Sequence, residues 1–273
     1  YEIRNCDWSS DVCSSDLTSD PGLLEKQLEN FDTIYRSVAY EAASMALALR
    51  DLENGSKLTG WNEFAQKNSG MHASQIHVGL GWAIAQKKIN ASGILKGLNP
   101  LMRARVADGC GYYNDIFRQH ASINNKTVPD DFIDCMDGYD QGIGRSVYYT
   151  TKGDIEKISG HINAFPETRQ ASLWRGVAIA CAYVGGSDEK TMHAIFEYSG
   201  AYKMQMKIGA ALVARARYDA ESITPDVQAA CDCWCNKNFS TLVDITKKTE
   251  KVTLESNGSY QDWLNKIAGE LLQ

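Results

Sequence analysis

The stretch YDQGIGRSVYY (139–149), followed after a polar interval by AFPETRQASLWRGVAIACAYVGG (164–186), decides how this chain is read. Its apolar residues recur at spacings of three and four rather than two, which is the helical period. Leu173, Trp174, Val177, Ala178, Cys181 and Val184 form a stripe that begins behind Pro166 and stops at Gly185-Gly186. Both runs are too apolar and too glycine-rich for ordinary surface helices, so they belong inside the protein. They nevertheless carry Arg145 and Arg175, and a buried guanidinium must be paired because it does not shed its charge.

The same period extends outward from this block. Only five prolines interrupt 273 residues, and the pattern predicts an all-α fold, a single multi-helix domain. Residues 31–52 read as one long helix ending near Asn54-Gly55, with loop after it as far as Gly70. Residues 74–88 give a second helix, apolar nearly all round between Val78 and Ala85 and therefore buried. A third starts over 98–105, with Pro100 near its N-terminus. Val128-Pro129-Asp130-Asp131 starts another, with acids against the positive end of its dipole. Three motifs recur in order: YRSVAYEA at Tyr35 with GRSVYYTT at Gly144, GWAIAQ at Gly81 with GVAIAC at Gly176, and DGCGYY at Asp108 with YSGAYK at Tyr198. They suggest two half-units, about 31–118 and 139–217, followed by C-terminal helices over 224–273. In that alignment Arg36 matches Arg145, whereas Leu80 stands opposite Arg175.

Residues 1–17 read differently. DWSSDVCSSDL (7–17) is what a common sequencing-library adapter encodes, and YEIRNC before it fits the upstream arm. The expectation is a non-native, disordered tail standing where the true start of the protein would be, so nothing follows about a leader or an anchor. Setting it aside lowers 34 acids to 30 and 28 bases to 27, and the net charge moves from −6 to −3. A chain so near neutrality, without a cluster of Lys and Arg, lacks the footprint of a nucleic-acid binder. Its longest strongly apolar run, 177–186, is about half of what a bilayer crossing needs. The six cysteines beyond the tail are not spaced as a disulfide scaffold and fit a reduced, cytoplasmic protein.

Several groupings of residues invite chemistry. His72 and His77 lie five apart, on different helical faces, unlike the i, i+4 pair of zinc hydrolases. Structural roles for both are expected. CDCWC (231–235) puts Cys231 and Cys235 on one face and Cys233 on another, which suits small core residues better than a four-ligand metal site. Asp130, Asp131, Asp134, Asp137 and Asp140 lack calcium-loop spacing and read as a solvated face. The pairs Gly79/Gly81, Gly109/Gly111 and Gly142/Gly144 follow no strand, so they read as places of close helix approach rather than a phosphate cradle. No motif calls for a cofactor or a metal.

The favoured constellation is Asp140, Gln141 and Arg145 with Trp174 and Arg175. In its bland form Asp140 pairs with Arg145 or Arg175 and locks two helices together. In its functional form one arginine faces a cavity and fixes a carboxylate or carbonyl, with Trp82, Tyr112, Tyr113, Trp174 and Tyr202 as aromatic walls and His77 nearby.

DQGIGRS, INAFPETRQASLWRGVAIACAYVGG, HVGLGWAIAQ, YEAASMALAL, GAALVARAR at Gly209 and YQDWLNKI at Tyr260 resemble the collinear blocks of the bacterial family of unknown function numbered 1702, which is linked to enediyne polyketide biosynthesis. The resemblance spans residues 22–267 and brings no agreed catalytic residues with it. It implies an accessory role in polyketide-type metabolism. Three readings follow: a helical protein or enzyme holding an apolar polyene between its helices, a helical scaffold for a polyketide-pathway protein, and a metal-dependent enzyme. An enclosed apolar cavity with Arg145 or Arg175 in its wall favours the first, and a filled core with an exposed apolar groove favours the second.

Overall fold

The computed structural model describes residues 21–55, 57–118 and 120–273, so the stretch 1–17 lies outside the described residues. Eight long helices carry the fold: α1 (Thr33–Glu53), α2 (Ala73–Lys87), α3 (Pro100–Ile116), α4 (Met136–Thr150), α5 (Glu167–Val184), α6 (Lys203–Asp219), α7 (Phe239–Glu255) and α8 (Tyr260–Leu271). Among the described residues there is no strand. The helix starts are locally encoded. Asp32 accepts the amide of Ile34 at 3.1 Å, and Asn99 takes those of Leu101 and Met102 at 3.0 Å ahead of Pro100. Ser259 and Asp262 close a capping box on α8; each such cap satisfies amides that the helix itself leaves open.

Two local expectations need correction. The region after α1 is not all loop, because Thr59–Lys67 is helical and buries Trp61 and Phe64. Nine residues with two apolar anchors give too short a periodic signal to read. The acids at 130–131 begin a 3-10 helix, Asp130–Cys135, and α4 proper starts only at Met136.

Each long helix packs on its successor, α1 on α2 and onward to α8. From α3 to α6 the neighbours run in the same direction. Ala104 faces Gly138 and Asp108 faces Gly142; Gly144 faces Leu173; Ala178 faces Gly209. α1 and α2 also run in the same direction, since Ser37 and Tyr40 meet His72 near their starts while Glu53 pairs with Lys87 at their ends. The row then turns back on itself. Arg217 of α6 donates to the carbonyls of Ile34 on α1 and Tyr183 on α5, at 2.9 and 2.5 Å. Gln75 of α2 reaches the Tyr183 hydroxyl at 3.3 Å.

The Gly-x-Gly pairs are what permit this. Residues two apart on a helix point about 200° apart, so one glycine faces the preceding helix and the other the following one. Gly79 lies on α1 and Gly81 on α3; Gly109 lies on α2 and Gly111 on α4; Gly142 lies on α3 and Gly144 on α5. At each of the six a methyl group would collide with a backbone carbonyl oxygen of the neighbouring helix.

Opposite effects are therefore expected from one chemical change at two glycines. Gly144→Ala should cost about 3 kcal/mol or more, because Leu173 backbone has to move. Gly160→Ala, in an exposed helical position where a methyl meets nothing, should add about 0.5–1 kcal/mol. Urea midpoints of the two variants check both signs.

Candidate functional site

The interior charges meet where α1, α3 and α4 converge. Asp108 on α3 is almost fully buried; Arg145 of α4 pairs with its carboxylate, and the Gln141 amide donates to it at 2.5 Å. The Arg145 guanidinium also lies 4.8 Å from the Tyr112 ring centroid and 4.0 Å from Glu41 Oε1. Burial opposes the charge on Arg145, but Asp108 and Glu41 more than offset it.

Glu41 is the unusual member. Its side chain is buried, and Oε1 has no hydrogen-bond partner. Burial pushes its carboxyl up to about 7; Arg145 pulls the other way and Asp108 adds to the rise. The group is thus poised to hold or release a proton near neutrality. Burial likewise pushes Tyr112 up to about 12 and raises Tyr149.

Two hollows adjoin these groups. The inner one holds about 60 Å³ and is lined by residues of all six helices from α1 to α6, including Glu41, Asp108, Arg145 and Tyr149 opposite Val78 and Leu212. The outer cleft holds about 490 Å³, with Met71, Leu98, Met102 and Trp263 among its apolar walls. Ser74, Gln75, Arg105, Leu212 and Ala216 line both, so the cleft and the inner hollow adjoin at this neck.

The residues singled out from sequence are dispersed. Arg145 stands in the inner cavity wall, with Gln141 and Tyr112 beside it. His77 lines the outer cleft and bonds the Ala73 carbonyl through Nδ1 at 2.7 Å; burial lowers its pKa. Arg175 lies away from both hollows. It donates to Gln141 and Gln205 side chains at 2.8 Å, to the Asp137 carbonyl at 3.1 Å and to Ser172 at 3.2 Å. Trp174 is core, Trp82 stacks on Tyr112, Tyr113 packs on Phe117, and Tyr202 donates to Gln170.

Asp140 pairs with neither expected arginine. Its carboxylate is held by Arg169, nearer the start of α5 than Arg175, with Nε at 2.8 Å. The helix pair runs parallel, which aligns 140 with 169 and 144 with 173. Of the aspartates around it, Asp130 and Asp134 are exposed as a solvated face would be, whereas two others are engaged. Asp131 accepts from Asn90, Ala91 and Ser92, and Asp137 from Ser172. Glu41, Arg105, Asp108 and Tyr149 escaped the sequence reading. The available signal was a lone acid amid the Ala/Met/Leu run of α1 and another between Ala107 and Gly109.

His72 and His77 serve separate contacts. His72 stacks on Tyr40 with centroids 3.9 Å apart, and burial lowers it to about 4. Cys231 and Cys235 are buried in a π-helical turn, where burial pushes both thiols up to about 12. Among the described residues no three His, Cys, Asp or Glu side chains come together so as to hold a metal. Nor is any described helix long and apolar enough to cross a membrane.

Comparison with known sequences finds a family model described as a protein of unknown function (DUF1702), matched by residues 16–271. No curated protein and no solved structure matches the chain.

The state of Glu41 is measurable through stability. Unfolded, the carboxyl loses its proton near the ordinary 4.5; folded, near 7. Between those values the folded protein keeps a proton that the unfolded chain gives up, so stability falls as pH rises through this window. Glu41→Gln removes that loss. Its stability relative to wild type should rise by on the order of 3 kcal/mol from pH 4 to pH 8, measured by urea unfolding at both. A pH-independent difference would show that Glu41 ionises normally.

Proposed function

The chain belongs to the DUF1702 family, and we propose that it is an accessory protein or enzyme of enediyne- or polyene-type polyketide metabolism that holds a largely apolar small molecule between its helices. The observation that carries this reading is the outer cleft of about 490 Å³ adjoining the inner hollow. That volume falls among those of small-molecule sites, which run from roughly 300 to 1,000 Å³ and are lined mainly by apolar side chains with a few polar ones. Resemblance to blocks found in enediyne clusters supplies the metabolic setting.

The two hollows suit different parts of one ligand. About 60 Å³ is the space of roughly two waters, too small for a polyene and large enough for a short polar tip. Met71, Leu98, Met102 and Trp263 in the wall of the cleft, among polar and charged side chains, accommodate the apolar body, since methionine adapts to irregular shapes. Chemistry, if the protein performs any, belongs at the inner end, where Glu41 exchanges a proton and Arg145 stabilises the resulting carboxylate. Glu41 would act there as general acid or base.

Filling the cleft tests this. Met102 is half-buried in its wall, and Met102→Trp should reduce the small molecules that co-purify with the protein at least tenfold, by native mass spectrometry, with the unfolding midpoint little changed. Arg145→Ala should alter which molecules are retained. Wild-type protein that carries no small molecule and shows no thermal shift with C8 chain compounds would defeat the reading.

A further inference from the structure

Arg105 stands at the neck between cleft and cavity, about nine-tenths buried at 9% exposure. The other interior arginines are engaged. Arg145 has Asp108, Arg169 has Asp140, Arg175 has four neutral acceptors, and Arg217 has two backbone carbonyls and the Tyr183 ring 3.9 Å away. Arg105 has no carboxylate within 4.0 Å and no hydrogen-bond acceptor among the described residues. Its nitrogens are also absent from the sealed polar atoms without partners, which belong to Arg36, Glu41, Trp82, Asn114 and Arg217. With neither partner nor seal, they face the open volume.

A second feature points into the same place. The first turn of α2, Ala73-Ser74-Gln75, lines the cleft. Its N-cap residue, His72, makes no side-chain cap, and the ring is instead stacked on Tyr40 and bonded to Ser37. The amides of a first turn have no partner within the helix and carry the positive end of the dipole. Helix starts of this kind accept carboxylates and phosphates. The cleft's own acids do not fill the role: Asp219 and Glu250 are bound to Arg215 at 2.6 and 2.7 Å. Burial lowers the pKa of His77, with the Ala73 carbonyl opposing and the Arg105 charge adding to the shift.

We infer that Arg105 and the first turn of α2 form an anion seat for the charged head of the cleft's apolar ligand, a carboxylate or a phosphate monoester. This rests on the cleft reading above and adds a substrate class to it: an acidic chain molecule rather than a neutral hydrocarbon. The planar guanidinium fork suits both head groups, each presenting two oxygens for parallel hydrogen bonds. The head lies at the neck, the chain runs along Met102 and Trp263, and any short substituent enters the cavity toward Glu41.

Three probes of equal chain length separate the possibilities: octanoate, octyl phosphate and octanol, titrated calorimetrically into wild-type protein and into Arg105→Gln. The expected result is at least tenfold tighter binding of one anionic probe than of octanol by the wild type. The tighter anion identifies carboxylate or phosphate as the head. In Arg105→Gln that preference should vanish while octanol affinity stays within about twofold. Equal wild-type affinity for all three leaves the cleft standing and overturns the anion seat, as does a preference that survives in Arg105→Gln. Failure of every probe to bind the wild type overturns both. Should Arg105→Gln not fold, the wild-type affinities for the three probes decide between these outcomes alone.

Discussion

Everything in this fold hangs on glycine hydrogens resting against carbonyl oxygens of the next helix. The contact recurs at every junction from α1 to α5, and at the α5–α6 junction Gly209 lies against Ala178. Because glycines two apart project to opposite sides of a helix, one Gly-x-Gly lets a helix sit at backbone distance from both neighbours. Small residues at a crossing are usually associated with close approach in membranes, where no hydrophobic force drives association. Here no described helix is long and apolar enough to cross a membrane, and the same geometry stacks a row of interior helices.

Close crossings dictate where the charges go. Asp108 has its carbonyl under Gly142 and its carboxylate on Gln141 and Arg145, the residues flanking that glycine pair. Gln141 then relays the connection, its Oε1 accepting both from Arg175 and from the Tyr260 hydroxyl of α8 at 2.8 Å. The polar lattice therefore ties α3, α4, α5 and α8 together beside the crossings, where large apolar side chains have no room. A buried charge is tolerated when its hydrogen bonds are complete, and Arg175 meets that condition with neutral acceptors alone.

The helical class, the burial of α2 and α5, and the meaning of the glycine pairs were all legible, because each is a local pattern of period 3.6. Arg145 was legible as a charge requiring a partner. The partner was not: Asp108 lies 37 residues away, and nothing local says which face of α3 meets α4. Asp140 misled because proximity in sequence favoured Arg145, whereas the parallel register of α4 and α5 brings up Arg169. Arg105 illustrates the limit. Arg103, two residues before it, bonds the Leu98 carbonyl at 2.8 Å near the surface. An i, i+2 pair points to opposite sides of one helix, so the sequence offers two similar arginines, one inside and one outside, and only the closed row tells them apart.

Tight packing and open volume have a common origin here. α2 and α3 touch through Gly81 and Gly109 near their middles, while the cleft lies between their N-terminal ends, around 73–77 and 97–105. Backbones held in contact at one point do not also fill the space beside their ends, which falls to α6, α7 and α8 to wall off. Side chains could have closed it, as they do around Trp174 and Trp234. Instead the neck carries an arginine without a partner, an uncapped helix start and, farther in, a glutamate with a free oxygen. Each of these polar groups is destabilising when dry and unpaired, and the three border two adjoining hollows. Unpartnered polar atoms also occur elsewhere in this interior, at Arg36, Trp82, Asn114 and Arg217, so what distinguishes these three groups is that they border open volume rather than packed core.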